Sequence, residues 1–316
     1  MMTLRRLGST DLKIAPLVLG GNVFGWTADR EAGFAVLDAF VDGGGTMIDT
    51  ADVYSAWIDG HSGGESETMI GEWLRASGKR DKVQIATKVG MLPGEGGEKL
   101  ASARIAAACD ASLRRLGTDR IDLYYAHQDD DSVPQEEVLA AFARLIDAGK
   151  IRVLGASNFT AGRLKSAVDL SRAGDLPRIH VLQPEYNLVS RHRFEGELQD
   201  FCVTENIAVL PYYGLAAGFL TGKYREKADL AQSVRGAGMA DLLAGRGGAV
   251  LAAMDDVAAE TGATLPQIAL AWLIAQPGIT APIASASRPG QVEDLLPAMT
   301  LALSKDQLER LTNAGA

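Results

Sequence analysis

Short apolar runs alternate with amphipathic stretches along most of this 316-residue chain. Runs typical of buried strands lie at 17–19, 46–49, 83–87, 121–125, 151–154, 180–182, 207–210 and 279–284. Between them, apolar residues recur at helical spacing, which predicts helices at 29–42, 66–77, 100–116, 134–148, 160–172, 194–205, 248–261 and 265–276. Glycines such as Gly78 and Gly117 follow these stretches and are typical of helix ends.

Eight strands that alternate with helices predict a parallel sheet with right-handed crossovers. In one chain of this length they favour an α/β fold, a single (β/α)8 TIM barrel, over an open doubly wound sheet. No G-x-G-x-x-G motif follows a strand, so the dinucleotide fingerprint of the open sheet is missing. We also predict an N-terminal β-hairpin over 3–14, a helix from 290 and an extra C-terminal helix over 305–313, all within one domain, 1–316.

Composition and charge limit the partners. The net charge is −9 and no basic block occurs, which argues against nucleic acid or an anionic membrane as a partner. Cys109 and Cys202 lie in helical patterns and are expected to be reduced core thiols. Neither a signal peptide nor an apolar run of about 18 residues is found, so we expect a cytoplasmic location.

Polar residues follow the strands at the end where a TIM barrel carries its active site. In chain order they are Asp49 with Tyr54, Lys88, His127 with Gln128, Ser157 with Asn158, Gln183, Tyr212 with Tyr213, and Ser285 with Ser287 and Arg288. A single Asp at a strand end is more often a turn or cap residue. Seven polar strand ends in one barrel instead predict a ring of acids, bases and hydrogen-bonding groups around one mouth.

The residue types indicate proton transfer to a carbonyl compound. Asp49 can act as counter-ion to Lys88, and a charged Lys88 is expected to lower the pKa of Tyr54 from about 10. His127 can polarise a carbonyl group or share a proton with Tyr54. Together with an aromatic face at Tyr212 and an anion-binding helix start near Arg288, these residues indicate a carbonyl reductase that uses a nicotinamide.

Seven motifs in the right order carry a resemblance to the aldo-keto reductase family over essentially the whole chain. They are Asp49-Thr50-Ala51-Asp52-Val53-Tyr54, Thr87-Lys88, Leu123-Tyr124-Tyr125-Ala126-His127, Gly155-Ala156-Ser157-Asn158-Phe159, Gln183-Pro184-Glu185-Tyr186-Asn187, Gly218-Phe219-Leu220-Thr221-Gly222-Lys223-Tyr224 and Ala286-Ser287-Arg288-Pro289. The resemblance is to bacterial members related to the branch that contains potassium-channel β subunits.

The resemblance implies a catalytic tetrad of Asp49, Tyr54, Lys88 and His127, with Tyr54 as proton donor to an aldehyde or ketone. It also implies an extended NADPH across the barrel mouth, without a Rossmann domain. The implied cofactor-binding residues are Asp49, Ser157, Asn158 and Gln183 at the carboxamide, Tyr212 on the nicotinamide, Leu215, Gly218 and Lys223 at the pyrophosphate, and Ser287, Arg288 and Gln291 at the 2′-phosphate end. Phe24, Trp26 and Trp57 are expected to line the substrate pocket with Tyr54 and His127.

Three positions depart from the usual family pattern. Family members often have Ser-Pro after the stacking tyrosine, where this chain has Tyr213-Gly214. The last loop often has Pro-Gly where this chain has Ala284-Ser285, and an Asn that meets adenine is replaced by Leu295. NADP(H) is still favoured, because a guanidinium at Arg288 suits a 2′-phosphate.

Two other functions remain open at this stage. A cofactor-sensing partner of the channel β-subunit type would use the same fold, although the sequence has no N-terminal extension expected to act on a channel. A metal-dependent barrel isomerase or hydrolase is disfavoured by the single His at the mouth, so no metal is expected. The natural carbonyl substrate, its direction of reaction and the oligomeric state, self-association included, are not determined by the sequence.

Overall fold

The computed structural model describes residues 2–232 and 236–315. Two short strands, β1 (Arg5–Arg6) and β2 (Lys13–Ile14), pair antiparallel and form the N-terminal hairpin that the sequence predicts. Gly8, in the turn of the hairpin, approaches the chain so closely that a Cβ there would lie 2.7 Å from the carbonyl oxygen of Asn206 and 2.9 Å from that of His180. The hairpin therefore covers the amino ends of the barrel strands.

Eight parallel strands in the described residues form the barrel wall. They are β3 (Val18–Gly20), β4 (Met47–Asp49), β5 (Gln84–Val89), β6 (Ile121–Ala126), β7 (Ile151–Ser157), β8 (Ile179–Gln183), β9 (Ala208–Val209) and β10 (Ile283–Ala284). From β3 to β9 each strand pairs in parallel with the next in sequence, and β10 pairs in parallel with β3.

The segment 279–284 closes the ring. The backbone N–H of Thr280 donates to the carbonyl oxygen of Val209 at 2.9 Å, and that of Ile283 donates to Pro211 at 2.8 Å. On its other side, the N–H of Val18 donates to the carbonyl of Pro282 at 3.0 Å. The predicted (β/α)8 TIM barrel is thereby confirmed, although only the last two residues of the predicted strand 279–284 form a regular strand.

Helices surround this barrel. They are α1 (Arg30–Asp42), α2 (Glu65–Ser77), α3 (Ser102–Leu116), α4 (Gln135–Asp147), α5 (Ala161–Ala173), α6 (Glu197–Thr204), α7 (Ala240–Ala244), α8 (Gly247–Thr261), α9 (Leu265–Ala275), α10 (Pro289–Leu295) and α11 (Lys305–Ala314). Local sequence fixes several ends: the Asp29 side chain caps α1, and Ser304 with Gln307 forms a capping box on α11.

The core has two parts. Strand and helix side chains fill the layer between barrel and helices, and a second cluster fills the barrel interior. Leu7 and Leu12 of the hairpin turn belong to the interior cluster, together with Val18 of β3 and Leu123 of β6. Since the hairpin closes one end of the barrel, only the carboxyl ends of the strands form an open mouth.

The long segment 213–247 is built from short helices. It contains 3₁₀ turns at Ala216–Thr221, Lys227–Gln232 and Gly236–Met239, followed by α7. Its part at 233–235 lies outside the described residues. Among the helices described, none is by itself long and apolar enough to cross a membrane; α8 and α9 reach that composition only as a pair, with a bend of 97° between them.

Candidate active site

The four residues predicted to be catalytic lie on three neighbouring strands or on the loops that follow them. Asp49 is the last residue of β4, and Tyr54 lies on the loop that follows it. Lys88 lies inside β5, and His127 directly follows β6. Because β4, β5 and β6 are adjacent in the barrel, the structure brings all four side chains together at the carboxyl end.

Lys88 is the centre of this group. Its side chain is fully buried, and its Nζ donates to Asp49 Oδ1 at 2.6 Å, to the carbonyl oxygen of Thr50 at 2.7 Å and to the Tyr54 hydroxyl at 3.2 Å. An ammonium group has three N–H donors, so this geometry uses all of them. The Lys88 side chain is therefore held against Tyr54 by Asp49 and by the backbone.

Electrostatics keep Lys88 charged. Burial alone would lower the pKa of Lys88, but the adjacent Asp49 carboxylate and Tyr54 reverse this, and the pKa lies above its ordinary value. The expected lowering of the Tyr54 pKa is wrong for this structure. Burial raises the pKa of Tyr54 above 10, and the charge of Lys88 offsets only part of that increase. Tyr54 is consequently protonated at neutral pH.

The imidazole of His127 lies beside Tyr54 and is neutral. The two ring centroids are 6.1 Å apart. Burial, and then the charge of Lys88, lower the pKa of His127 well below 6.5. Its buried Nδ1 has no hydrogen-bond partner among residues 2–232 and 236–315. The site therefore pairs a protonated phenol with an uncharged imidazole.

The predicted carboxamide-binding residues form a hydrogen-bonded chain on the far side of Asp49. Gln183 Nε2 donates to Asp49 Oδ2 at 2.8 Å, and the Ser157 hydroxyl donates to the carbonyl oxygen of Gln183 at 2.8 Å. Asn158 Nδ2 donates to Ser157 Oγ at 3.2 Å, and the Tyr212 hydroxyl donates to Asn158 Oδ1 at 2.9 Å. Polar side chains and the backbone carbonyl of Gln183 thus connect Asp49 to the ring of Tyr212.

The residues predicted to bind phosphate lie further out, on two loops. Leu215, Gly218 and Lys223 lie on and beside the 3₁₀ turn Ala216–Thr221, where Gly218 has φ +97° and a Cβ would lie 3.1 Å from Lys223 Nζ. Lys223 is exposed and has no ion pair in the part of the chain that is described.

The second loop joins β10 to α10. The exposed Arg288, at the start of α10, also has no ion pair with any described residue. Ser287 Oγ lies 2.7 Å from Thr27 Oγ1, and the Ser287 N–H donates to Gln291 Oε1 at 2.8 Å. These contacts fix the loop and leave the guanidinium of Arg288 available.

The three departures from the family pattern have defined positions. Ser285 Oγ donates to Asn22 Oδ1 at 2.6 Å and so joins the last loop to the loop after β3. Leu295 is buried at the end of α10. Tyr213 has a positive φ of 57° and is half exposed.

An aromatic wall leads to Tyr54. The Trp26 and Trp57 rings meet edge to face with centroids 5.7 Å apart, and Trp57 meets Tyr54 in the same manner at 5.6 Å. Phe24, also predicted to line the pocket, is different. Its ring is fully buried in the core, since it packs toward Gly33 of α1. Trp26 and Trp57 therefore form this side of the mouth without Phe24.

A buried ionic cluster behind the Tyr54 loop was missed by the sequence reasoning. Arg104 Nη2 donates to Asp52 Oδ2 at 3.3 Å, and Arg115 Nε donates to Glu67 Oε2 at 2.6 Å. Glu67 Oε1 also accepts from the Thr87 hydroxyl at 2.6 Å. In the sequence, Glu67 falls on the same helix face as apolar Ile70 and Leu74, and this position indicates that its carboxylate is buried.

No group of three or more His, Cys, Asp or Glu in the described chain is arranged to hold a metal ion.

Comparisons of the sequence with known protein families and proteins agree with this architecture. The model of the aldo/keto reductase family matches residues 16–316. The chain is 32% identical over 314 residues to an uncharacterized oxidoreductase of Bacillus subtilis (YrpG), covering 97% of this chain and 94% of that one. It is 31% identical over 329 residues to a probable voltage-gated potassium channel subunit beta of Arabidopsis thaliana, with 98% and 96% covered.

The name of a third relative includes an activity and a substrate. The chain is 30% identical over 327 residues to an L-glyceraldehyde 3-phosphate reductase of Escherichia coli, covering 98% of this chain and 91% of the relative. A family match from residue 16 to the C-terminus, with relatives of this identity along nearly the full length, establishes membership. The chain belongs to the aldo/keto reductase family, oxidoreductases that use nicotinamide cofactors and act on small carbonyl compounds.

Proposed function

We propose that the chain reduces an aldehyde or ketone to the alcohol, with NADPH as hydride donor and Tyr54 as proton donor. One observation carries this proposal: the Tyr54 hydroxyl lies 3.2 Å from Lys88 Nζ, which Asp49 holds at 2.6 Å. A buried phenol beside a fixed ammonium group can release its proton when negative charge develops on a neighbouring oxygen.

The proton step uses the pKa values of this site. The raised pKa of Tyr54 keeps the proton on the phenol until the carbonyl oxygen becomes negative. The phenolate that then forms faces the ammonium of Lys88, which stabilises it. Asp49 positions Lys88 and supports its charge, so it acts through Lys88 and does not itself donate the proton.

His127 is proposed to orient the carbonyl group. A neutral imidazole keeps one N–H, which can donate a hydrogen bond to the carbonyl oxygen without supplying the proton. Since the pKa of His127 is far below neutrality, its form does not change over the physiological range. Tyr54 and His127 would then contact the same oxygen from two sides.

The chain offers suitable groups for a nicotinamide dinucleotide. Ser157, Asn158 and Gln183 would hold the carboxamide, and the ring of Tyr212 would stack on the nicotinamide, which supplies a hydride when bound. Lys223 and Arg288 are exposed cations without a carboxylate partner among the described residues, in a chain with a net charge of −9. Unpaired cations beside a mouth of this kind suit phosphates, and the guanidinium of Arg288 supports NADPH over NADH.

Tyr54→Phe tests the proposal directly. NADPH affinity should stay nearly unchanged, since the ring is kept, while carbonyl reduction should fall by about 10²-fold or more because the proton donor is lost. Tyr186→Phe is the matched control, because Tyr186 is a buried phenol whose hydroxyl contacts Glu195 instead. Unchanged turnover in Tyr54→Phe would contradict the assignment.

A second candidate function comes from similarity to the probable channel β subunit, which extends over 98% of this chain. In that case the protein would bind the cofactor and a membrane partner, with little turnover. Co-expression with affinity capture of a channel, together with NADPH binding and no reduction of any carbonyl compound, would favour it. The complete hydrogen-bonded group around Lys88 supports the enzyme instead.

We further propose a reducing, cytoplasmic location. Cys109 and Cys202 are both buried and free, and burial raises the pKa of each thiol to about 12. Thiols of this kind are unreactive and suit a reducing compartment. The protein can be isolated from cells under denaturing conditions with its free thiols blocked by an alkylating reagent. Its mass then shows whether both thiols are reduced in the cell.

A further inference from the structure

Exposed apolar side chains concentrate at the barrel mouth. Five large apolar side chains in the described part of the chain are exposed: Leu4, Trp57, Met91, Val203 and Tyr213. Three of them, Trp57, Met91 and Tyr213, lie on the loops that follow β4, β5 and β9, where the carboxyl ends of the strands form the mouth. Aromatic side chains that stay exposed around the mouth are available to contact the apolar part of a ligand that enters it.

The mouth has a second aromatic wall, on the loop that follows β9. The rings of Tyr212 and Tyr213 meet edge to face, with centroids 5.0 Å apart and planes at 70°. The Tyr212 hydroxyl donates to Asn158 Oδ1 at 2.9 Å, so this wall is anchored to the group of residues expected to hold the carboxamide.

Tyr213 adopts a backbone conformation that its side chain does not favour. Its φ is +57°, in the left-handed region where bulky residues are rare and Gly or Asn is preferred. Its carbonyl oxygen accepts from Asn187 Nδ2 at 2.9 Å and from the Ala216 N–H at 2.7 Å, so the surroundings enforce this conformation.

Packing does not explain why a tyrosine occupies this strained position. The Tyr213 side chain is 50% exposed, so it gains little from burial. An aromatic ring that is both strained and exposed, and that packs edge to face on Tyr212 at the mouth, is suited to contact with a ligand.

We propose that Tyr213 is a specificity-determining residue that, with Trp57, selects carbonyl substrates carrying an aryl or similarly bulky apolar group. This inference rests on the proposed reductase function and names the substrate class for that same mouth. The apolar part of the substrate lies between the two aromatic walls and meets the ring edge of Tyr213. The carbonyl oxygen lies at Tyr54 and His127.

The test compares 2-naphthaldehyde with propanal, following NADPH oxidation by wild type, Tyr213→Asn and Tyr213→Phe. Asparagine tolerates the left-handed region, so Tyr213→Asn should keep or raise the thermal midpoint, by about 2 °C. Its kcat/KM for 2-naphthaldehyde should fall about threefold to tenfold, with propanal unchanged. Tyr213→Phe keeps the ring and should keep the preference for 2-naphthaldehyde over propanal.

Lys99→Asn is the matched control, because Lys99 also has a positive φ, of 49°, and is exposed. Lys99→Asn should relieve backbone strain in the same way without changing the ratio of the kcat/KM values for the two aldehydes. If Tyr213→Asn leaves the ratio of kcat/KM for 2-naphthaldehyde to kcat/KM for propanal unchanged, the inference is overturned. An equal fall for both aldehydes would show that Tyr213 has a structural role only.

A binding experiment separates this inference from the proposed function. If the wild type binds NADPH and reduces neither aldehyde, the proposed function fails. Calorimetric titration of 2-naphthalenemethanol into the NADPH complex then tests Tyr213 alone. Weaker binding in Tyr213→Asn than in wild type and Lys99→Asn supports an aryl-binding role, and equal binding in all three overturns it.

Discussion

Arg104 of α3 connects to Asp52, which lies two residues before Tyr54, through a buried ion pair of 3.3 Å between Nη2 and Oδ2. The same guanidinium donates to the carbonyl oxygens of Leu92 at 3.0 Å and Glu95 at 3.3 Å. One side chain therefore joins the Tyr54 loop to the next loop around the mouth. These contacts indicate that the position of Tyr54 depends on a buried ion pair behind its loop.

Asp52 should make folding stability depend on pH. Burial, and then the nearby charge of Glu67, raise the pKa of Asp52 from 3.8 to about 7, although Arg104 and Arg115 oppose this. A carboxyl group with a raised pKa in the folded state stabilises the fold when protonated. This contribution is present below pH 4 and is lost as the pH rises through 7.

Asp52→Asn is the variant that measures this contribution. From pH 5 to pH 8, wild type should lose roughly 2 to 3 kcal/mol of unfolding free energy relative to Asp52→Asn, since each pKa unit is worth about 1.4 kcal/mol. Urea unfolding at both pH values gives the difference. Asp59→Asn, an exposed change in the same loop, should follow wild type. Parallel pH profiles for wild type and Asp52→Asn would contradict the prediction.

The architecture follows from the sequence more completely than the electrostatics do. Strand and helix periodicity depends on local side-chain order, so the sequence predicts all eight strands, the hairpin and α11. The bounds agree within a few residues except at the last strand, where only Ile283–Ala284 of the predicted 279–284 is regular. The strand ends likewise place Asp49, Tyr54, Lys88 and His127 together. The irregular turns within 213–247 have no periodicity and were not predicted individually.

What the sequence did not reveal depends on distance and burial. The pKa of Tyr54 is set by a balance between burial and the charge of Lys88, and the sequence shows only the second of these. The pairing of Asp52 with Arg104 joins residues 52 positions apart on different elements. Phe24 follows a strand as Trp26 does, but its ring enters the core because Gly33 leaves space for it.

The pH profile of reduction should show no step from His127. Burial and the charge of Lys88 hold the pKa of His127 well below 6.5, so the imidazole is neutral throughout the neutral range. The raised pKa of Tyr54 moves loss of the proton donor above pH 10. The rate of reduction should therefore be level across neutral pH and fall only in strong alkali. An acid step near 6.5 that is absent from His127→Gln would contradict this.

Arg288 should discriminate between the two nicotinamide cofactors. Because its guanidinium has no carboxylate partner in the described residues, a 2′-phosphate can pair with it without breaking an existing ion pair. Arg288→Gln should weaken NADPH binding about tenfold and NADH binding less than twofold, measured by quenching of tryptophan fluorescence. Arg310→Gln, which removes an exposed ion pair with Glu260, should change neither affinity. Equal losses for both cofactors would show that Arg288 does not contact the 2′-phosphate.

Gly71 should be essential for the packing of α2 on α3, the two helices that carry Glu67 and Arg115. A Cβ at Gly71 would lie 2.1 Å from the carbonyl oxygen of Arg115 and 2.8 Å from the carbonyl carbon of Leu116, so the helices would have to separate. Gly71→Ala should cost about 3 kcal/mol of unfolding free energy, since backbone atoms cannot move aside as a flexible side chain does. Gly162→Ala in α5 is the control: nothing lies within 4 Å of its added Cβ, and it should gain about 0.5 kcal/mol. Denaturant unfolding of both variants gives the comparison, and a Gly71→Ala protein as stable as Gly162→Ala would show that the helices do not pack this closely.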